Sequence, residues 1–332
     1  MTKVVVITGA SAGVGRATAR AFGRLGWSVG LIARGRDGLE AARREIAGRG
    51  GRAACTLADV ADADALDAAA DQLARELGPI RVWINDAMIT AYSPFEAMRP
   101  DEFRRITEVC YLGQVNGTRA ALRHMRPRDR GTIVNVGSGL AYRAIPLQSA
   151  YCGAKFAARG FTDALRSELI RDGSRIRLSM VHLPGLNTPQ FDMGLNRLPM
   201  RPQPAPPVYQ PEVAARAIVR AAYEAPRELW VGTPVLKLIA GQAVAPGYVD
   251  EKLADAAFEG QQSEVPEPGG RPNNLFGPIP GDQGAHGRYD DRAHDRALVI
   301  DPDRLRRAAA GAVAAGVAGL AVVAGRRLLA RR

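Results

Sequence analysis

Three polar side chains near the middle of the chain have the types and the spacing that proton transfer at an oxygen atom requires. Tyr151 and Lys155 are four residues apart, so on a helix they lie on the same face. A buried lysine cation beside a phenol lowers the pKa of the phenol from about 10 towards neutrality. Ser138 precedes this pair, and its hydroxyl could hold a substrate oxygen while Tyr151 exchanges the proton. The spacing alone also fits a tyrosine that packs in the core and a lysine that extends to solvent.

A glycine-rich turn near the N-terminus follows the apolar, β-branched residues 4–7 and precedes a helical pattern. Glycines at such a turn let the backbone bend tightly and bring its N–H groups close to a pyrophosphate. The alternative is a loop that only needs a positive φ. The position between a buried strand and a helix favours dinucleotide binding. The expected contacts are Gly9, Ser11, Gly13, Val14 and Gly15.

The end of the second predicted strand, residues 28–33, indicates which dinucleotide binds. An acidic residue there would accept hydrogen bonds from the adenosine ribose and repel a 2′-phosphate. Arg34 stands there instead, and its planar guanidinium can hold a phosphate. The sequence therefore favours NADP(H) over NAD(H), with the alternative that Arg34 is one of many surface arginines.

Strand patterns alternate with helix patterns over most of the chain, which predicts an α/β fold with a doubly wound parallel sheet, the Rossmann fold. The predicted strands are residues 4–7, 28–33, 52–57, 81–84, 132–136, 175–182 and 228–232. The predicted helices are residues 14–25, 38–47, 64–77, 100–124, 150–171 and 211–224. Such a sheet brings the polar motifs together at the carboxyl ends of its strands.

Further motifs follow the predicted strands in order: Asp59-Val60, Asn85-Asp86-Ala87, Asn135 to Ser138, and Pro184-Gly185 with Thr188 nearby. With the glycine turn, Tyr151 and Lys155, they resemble the short-chain dehydrogenase/reductase family of the classical type over residues 1–255.

The resemblance implies hydride transfer between a nicotinamide and a carbonyl or secondary alcohol. It implies that Tyr151 is the general acid/base and that Ser138 positions the substrate oxygen. Lys155 would hold the nicotinamide ribose and tune Tyr151. It also implies cofactor contacts from Asp59, Val60, Asn85, Ala87, Pro184 and Thr188, besides Tyr151 and Lys155.

Two departures from the family pattern bear on activity. Met88 replaces a glycine near the ribose, and Cys110 replaces an asparagine that helps to hold a water in the proton relay. A thiol is a poor hydrogen-bond partner. These departures support an alternative function, a catalytically weak NADP(H)-binding scaffold or sensor.

The chain divides by composition into a catalytic domain over residues 1–255, an irregular Gly/Pro-rich extension over 256–300, and a terminal helix over 301–332. Residues 308–325 are uncharged and have arginine pairs on both sides. At 1.5 Å per residue such a helix spans about 27 Å, close to the hydrocarbon core of a bilayer. A membrane anchor and a helix docked on a partner subunit fit equally well.

Composition excludes several classes of protein. The chain has 332 residues, 46% of them hydrophobic and 24% charged, which is typical of a globular protein rather than a disordered, collagen-like or polytopic membrane one. The net charge of +11 comes mostly from arginine and is not organised with aromatic residues, so no nucleic acid is expected. Three scattered cysteines fit a reducing compartment, and no cluster has metal-ligand spacing.

Four further expectations concern partners and location. Proline-rich residues 186–211 carry Phe191, Met193 and Met200, which favours a hydrophobic small-molecule substrate. A homo-oligomer, either a dimer or a tetramer, is expected. The expected location is the cytoplasm, with the terminal helix as an attachment to the inner face of a membrane.

Overall fold

Parallel strands form most of the central sheet in this computed structural model, which describes residues 3–308 and residue 310. Along the chain the seven parallel strands are β1 (Val4–Thr8), β2 (Ser28–Ala33), β3 (Ala53–Leu57), β4 (Ile80–Asn85), β5 (Gly131–Ser138), β6 (Ile176–Leu183) and β7 (Glu228–Val231). Their order in the sheet is β3-β2-β1-β4-β5-β6-β7, and β8 (Val299–Ile300) pairs antiparallel with β7. Every residue of β1 is buried, as expected for a β-branched strand covered on both faces.

Helices cover both faces of the sheet. They are α1 (Gly13–Arg24), α2 (Arg36–Ala47), α3 (Ala63–Leu77), α4 (Pro100–Thr107), α5 (Gly113–Met125), α6 (Ser149–Arg171), α7 (Gln190–Met193), α8 (Pro211–Glu224), α9 (Gly232–Val244) and α10 (Pro246–Gly260). Residues of α1, α2 and α8 form one apolar core with the sheet, and residues of α3, α5 and α6 form the other. The doubly wound architecture predicted from the sequence is confirmed.

The order of the strands reverses at β1, because β2 lies on one side of it and β4 on the other. At such a point the loops that leave neighbouring strands turn in opposite directions, and a crevice opens at the carboxyl ends of the strands. The glycine turn follows β1 and Ser138 ends β5, so both lie at this edge.

The helix predicted over residues 100–124 is interrupted. Helices α4 and α5 are joined by a π-helical turn, Glu108–Leu112, that contains Cys110. A π-turn widens the helix by one residue per turn and is frequent at functional sites.

The structure differs from the sequence prediction after β7. Helices α9 and α10 were not predicted, and β8 adds a strand beyond residues 228–232. Residues 256–300 are mostly irregular, but Gln262–Pro266 pairs with Met200–Pro202 and Ala293–His294 pairs with Val208–Tyr209.

Residues 302–308 are helical, whereas nearly all of the apolar segment 308–325 lies outside the described residues, so the predicted anchor stays a prediction. Within the described part of the chain, no helix is long and apolar enough to span a bilayer.

Candidate active site

A cleft opens at the carboxyl ends of β1, β4, β5 and β6. Most of the residues predicted to bind a cofactor or to act in catalysis line it. They are Gly9, Ser11, Gly13, Val14, Arg34, Asp59, Val60, Ala87, Ser138, Tyr151, Lys155, Pro184 and Thr188. Gly15 and Asn85 are not among the lining residues.

The glycine turn needs its glycines because some of them have a positive φ and some leave no room for a Cβ. Gly9 has φ +71°, and a Cβ there would lie 2.8 Å from the Cα of Ala87. A Cβ on Gly15 would lie 2.3 Å from the carbonyl oxygen of Gly9, so Gly15 lets the first turn of α1 pack against the loop. Gly13 has φ +53° and faces Thr188 across the cleft, where a Cβ would come within 3.4 Å. The turn therefore brings the backbone close together at the N-terminus of α1, where N–H groups can bind a pyrophosphate.

Ser138, Tyr151 and Lys155 meet at one place on the cleft wall. The hydroxyl oxygen of Ser138 accepts a hydrogen bond from the N–H of Leu140 at 3.1 Å, which leaves its own proton free to be donated. The Nζ atom of Lys155 lies 5.5 Å from the centre of the Tyr151 ring and donates to the carbonyl oxygen of Val136 at 2.8 Å. The predicted triad is thus assembled by the end of β5 and the start of α6.

The electrostatics of Tyr151 differ from the sequence expectation. Burial raises the pKa of Tyr151, and the hydrogen bond with Ser138 only partly opposes this. Burial also lowers the pKa of Lys155. The phenol is therefore held in its protonated form.

Asp86 is a buried carboxyl group in the cleft that the sequence analysis quoted without assigning a role. Burial raises its pKa to about 8, against the opposing effects of the Lys155 cation and of the Gly15 N–H, which donates to the carboxylate. At neutral pH it is mostly protonated and uncharged. The sequence could have indicated Asp86 as a functional residue, because a carboxylate directly after a buried strand must be either neutral or paired with a cation.

Cys110 is tied to the backbone of the neighbouring loop. Its thiol donates to the carbonyl oxygen of Ile89 at 3.1 Å and accepts from the Ile89 N–H at 3.4 Å. Burial raises the pKa of this thiol, so the thiol stays protonated, and a protonated thiol is unreactive. Cys110 therefore holds the loop after β4 against the π-turn.

The side chain of Asn85 points into the protein, where it accepts from Trp83 at 2.7 Å and donates to the side-chain oxygen of Asn135 at 2.8 Å. It joins β4 to β5, and the structure does not bring it to the cleft.

His182 is a fully buried core residue. Its ring nitrogens lie 3.1 Å from the carbonyl oxygen of Ser138 and 3.0 Å from a carboxylate oxygen of Glu228.

The far end of the cleft carries the charged groups expected near an adenosine. Arg34 donates to the carbonyl oxygen of Asn274 at 2.5 Å, and burial lowers the pKa of its guanidinium. Asp59 is paired with Arg105. Arg34 is therefore not a free surface arginine, and its partner belongs to the C-terminal extension.

Among the described residues, no group of three His, Cys, Asp or Glu side chains could hold a metal ion. All three cysteines are free, with Cys110 and Cys152 buried and Cys55 partly exposed.

The family model for short chain dehydrogenases matches residues 3–195. The uncharacterized oxidoreductase YxnA of Bacillus subtilis is 29% identical over 266 residues, which cover 80% of this chain and 75% of that protein. The uncharacterized oxidoreductase Rv1543 of Mycobacterium tuberculosis is 31% identical over 301 residues, which cover 89% of this chain and 80% of that protein. This second similarity extends well past residue 195 into the C-terminal extension.

Two solved structures are similar in fold. A short-chain dehydrogenase from Streptomyces avermitilis has a TM-score of 0.63 and 27% identity, with 77% of this chain and 97% of that chain covered. A metagenomic short-chain oxidoreductase in complex with NADP has a TM-score of 0.56 and 28% identity, with 66% and 90% covered.

Proposed function

Because the chain belongs to the short-chain dehydrogenase family of oxidoreductases, we propose that it uses NADP(H) to interconvert a carbonyl compound and a secondary alcohol, with Tyr151 as the acid/base. The observation that carries the proposal is the meeting of Ser138, Tyr151 and Lys155 on the cleft that also contains the glycine turn. The bound nicotinamide would supply or accept the hydride.

The chain's own residues supply the proton and the orientation. Because the Ser138 oxygen accepts from Leu140, its hydroxyl proton can be donated to a substrate oxygen beside Tyr151. Tyr151 is protonated because burial raises its pKa, so it can give its phenolic proton to the same oxygen when a carbonyl is reduced. Lys155 is fixed by Val136 beside this phenol, and its positive charge stabilises the phenolate that proton donation leaves. In the reverse direction the phenolate takes the proton back.

The preference for NADP(H) rests on the charges at the far end of the cleft. Arg34 lines the cleft where an acidic residue would favour NAD(H). Asp59, which could repel a phosphate, is neutralised by its ion pair with Arg105. The positive charge of Arg34 is thus left to attract the 2′-phosphate. That the metagenomic relative binds NADP supports this preference.

The proposed substrate is apolar around its reacting oxygen. Apolar residues that line the cleft include Met88, Ile89, Leu186 and Met193. Phe191, by contrast, is buried against Tyr92 and Tyr289 and does not reach the cleft. Such walls favour a hydrophobic substrate, because burial of its apolar surface contributes about 25 cal/mol per Å².

One observation favours a second candidate, a protein that binds NADP(H) but turns over slowly. Both hydrogen bonds of the Cys110 thiol go to Ile89, so it cannot hold a relay water beside Lys155 as an asparagine would. Tight NADPH binding without turnover would favour this scaffold or sensor function.

A panel of carbonyl compounds and alcohols, followed by the absorbance of NADPH, tests the proposal. We expect turnover of apolar ketones or aldehydes by the wild-type protein and none by Tyr151→Phe. Turnover that survives in Tyr151→Phe, or a panel in which only small charged compounds react, would contradict it.

A further inference from the structure

A segment of the C-terminal extension, residues 274–287, runs along the rim of the cleft. We call this segment the clasp. It lies outside residues 3–195, the part of the chain that the family model matches. Its residues Asn274, Pro278, Ile279, Gly281 and Gln283 line the same cleft as the glycine turn and Tyr151.

At the end near Arg34, the clasp is attached by its backbone. The carbonyl oxygen of Asn274 accepts from Arg34 at 2.5 Å, and that of Leu275 accepts from Arg105 at 3.2 Å. The N–H of Asn274 donates to the carbonyl oxygen of Met193 at 2.8 Å. The side chain of Leu275 is only 1% exposed and packs into the core that α3, α5 and α6 form with the sheet. This end is therefore held by both apolar burial and hydrogen bonds.

The middle of the clasp is attached to the glycine turn and to α1 and α2. Arg16 of α1 forms an ion pair with Asp282 at 2.8 Å. The N–H of Gly13 donates to the carbonyl oxygen of Gly284 at 3.0 Å. The N–H of Gly281 donates to the carboxylate of Asp37 at 2.9 Å. These contacts place the clasp next to the glycine turn.

The last residue of the clasp returns to the loop after β6. The N–H of Gly287 donates to the carbonyl oxygen of Asn187 at 3.2 Å, and a Cβ on Gly287 would lie 2.6 Å from the carbonyl oxygen of Thr188. Thr188 lines the cleft. The clasp thus touches the rim at the adenosine end, at the glycine turn and at the predicted nicotinamide end.

Burial is uneven along the clasp. Leu275 and Ala285 are buried, but none of residues 276–284 between them is. This stretch is held by hydrogen bonds and one ion pair, and it contains Pro278, Pro280 and three glycines. Segments with few buried apolar contacts open at low cost in free energy, so the stretch can lift while its two ends stay in place.

The clasp also presents an unused polar group. Asn274 lines the cleft, and within the described part of the chain its buried side-chain oxygen has no hydrogen-bond partner. A buried acceptor without a partner is costly, and a donor on a bound ligand would satisfy it.

We propose that the clasp is part of the dinucleotide-binding site: it closes over the adenosine half of the cofactor and must lift for the cofactor to enter or leave. This inference rests on the proposed function. It assigns cofactor contacts to residues 274–284, and it makes the exchange of the cofactor dependent on the opening of residues 276–284.

A reversible disulfide tests the proposal directly. A Cβ on Gly35 would lie 3.3 Å from the Cβ of Pro278, close to the separation of a disulfide. In the variant Gly35→Cys/Pro278→Cys, NADPH is bound first, the disulfide is then formed and checked by mass, and NADPH release is followed by fluorescence. We expect release to slow by about tenfold or more in the oxidised form and to recover on reduction.

The reduced double variant is the reference, and the two single variants, treated with the same oxidant, control for the native thiol of Cys55. Equal release rates in the oxidised and reduced forms would overturn the proposal. So would a disulfide that forms without NADPH but is blocked by bound NADPH, because the clasp could then not lie over the cofactor in this position. If the reduced variant and the wild-type protein bind neither NADPH nor NADH, the proposed function itself fails.

A second variant does not depend on disulfide formation. Asp282→Asn removes one carboxylate partner of Arg16, which keeps its ion pair with Glu45 at 2.9 Å. We expect NADPH release to accelerate about two- to fivefold, the range of one partly exposed ion pair. Asp101→Asn is the matched control, because it removes an exposed ion pair, with Arg99, that involves no residue of the clasp. Equal release rates for the two variants would contradict the role of the clasp.

Discussion

Replacing Asp86 by asparagine should stabilise the cofactor-free protein. The carboxyl group of Asp86 is buried, and burial raises its pKa from 3.8 to about 8. At pH 7 it is protonated in the folded protein and ionised in the unfolded chain, so folding must take up a proton. Asparagine has the shape of the protonated acid, and its side-chain oxygen can accept the same hydrogen bond from the Gly15 N–H. The variant therefore keeps the contact and avoids the proton uptake.

The size of the effect follows from the two pKa values. Each pH unit above 3.8 costs the wild-type protein about 1.4 kcal/mol of folding free energy until the pH reaches about 8. The sign is that of an acid with a raised pKa: the folded state binds more protons, so stability falls as the pH rises from about 4 to 8. Asp86→Asn should therefore be more stable by up to about 4 kcal/mol at pH 7 and by up to about 2 kcal/mol at pH 5.

Urea unfolding of the cofactor-free wild-type protein and of Asp86→Asn at pH 5, 6, 7 and 8 measures this difference. Asp101→Asn, an exposed aspartate in an ion pair with Arg99, is the control and should show no gain that grows with pH. A difference for Asp86→Asn that is independent of pH would refute the reasoning. A loss of stability at pH 7 would show that Asp86 is ionised in the folded protein and paired with Lys155.

Three further substitutions have defined outcomes. Arg34→Ala should lower kcat/KM with NADPH at least about tenfold more than kcat/KM with NADH, because both cofactors lose the attachment of the clasp but only NADPH loses a charge-assisted hydrogen bond to its 2′-phosphate; equal losses with both cofactors would contradict this. Gly15→Ala should prevent tight cofactor binding, since its Cβ would lie 2.3 Å from the Gly9 carbonyl oxygen, and a Kd for NADPH equal to that of the wild type would contradict this. Glu228→Gln should cost about 1.5–3 kcal/mol in urea unfolding at pH 7, because the hydrogen bonds of His182 and Tyr142 to an ionised carboxylate are replaced by weaker ones to a neutral amide. Burial by itself raises the pKa of Glu228, but the hydrogen bond with His182 lowers it to about 2, so this contribution is present at neutral pH and is lost as the pH falls from about 4.5 towards 2; a cost that is the same at pH 3 and pH 7 would count against the pair.

The sequence predicted β1 to β7 and most helices to within about two residues, because most of the strands are buried on both faces and most of the helices on one. The same rule explains why α10 was missed. None of its residues is buried, and its apolar stripe is short, with only Val249, Leu253 and Ala257 at helical spacing.

The meeting of the three proposed catalytic residues was predictable because their spacing is local. Tyr151 and Lys155 lie on one helix, and Ser138 ends the strand beside it. The family resemblance implied a cofactor contact for Asn85, but its side chain points to Asn135 and Trp83 instead. Whether the side chain at the end of a strand points into the cleft or into the protein depends on its hydrogen-bond partners on the neighbouring strand.

The clasp could not be predicted, because its contacts join residues that are far apart in the chain. Arg34 and Asn274 are 240 residues apart, and Asp37 and Gly281 are 244 residues apart. Each contact is a hydrogen bond to a backbone group, which any residue type can provide. The Gly/Pro-rich composition predicts an irregular segment, but it carries no information about where the segment docks.

The most direct test of the proposed chemistry is a single-turnover measurement of NADPH oxidation by a carbonyl substrate found in the panel, in the wild-type protein and in Tyr151→Phe. If Tyr151 donates the proton, the rate should fall by about 100-fold or more in Tyr151→Phe, while the Kd for NADPH stays within about twofold. A Tyr151→Phe protein that oxidises NADPH at the wild-type rate would contradict the role of Tyr151 as the acid of this site.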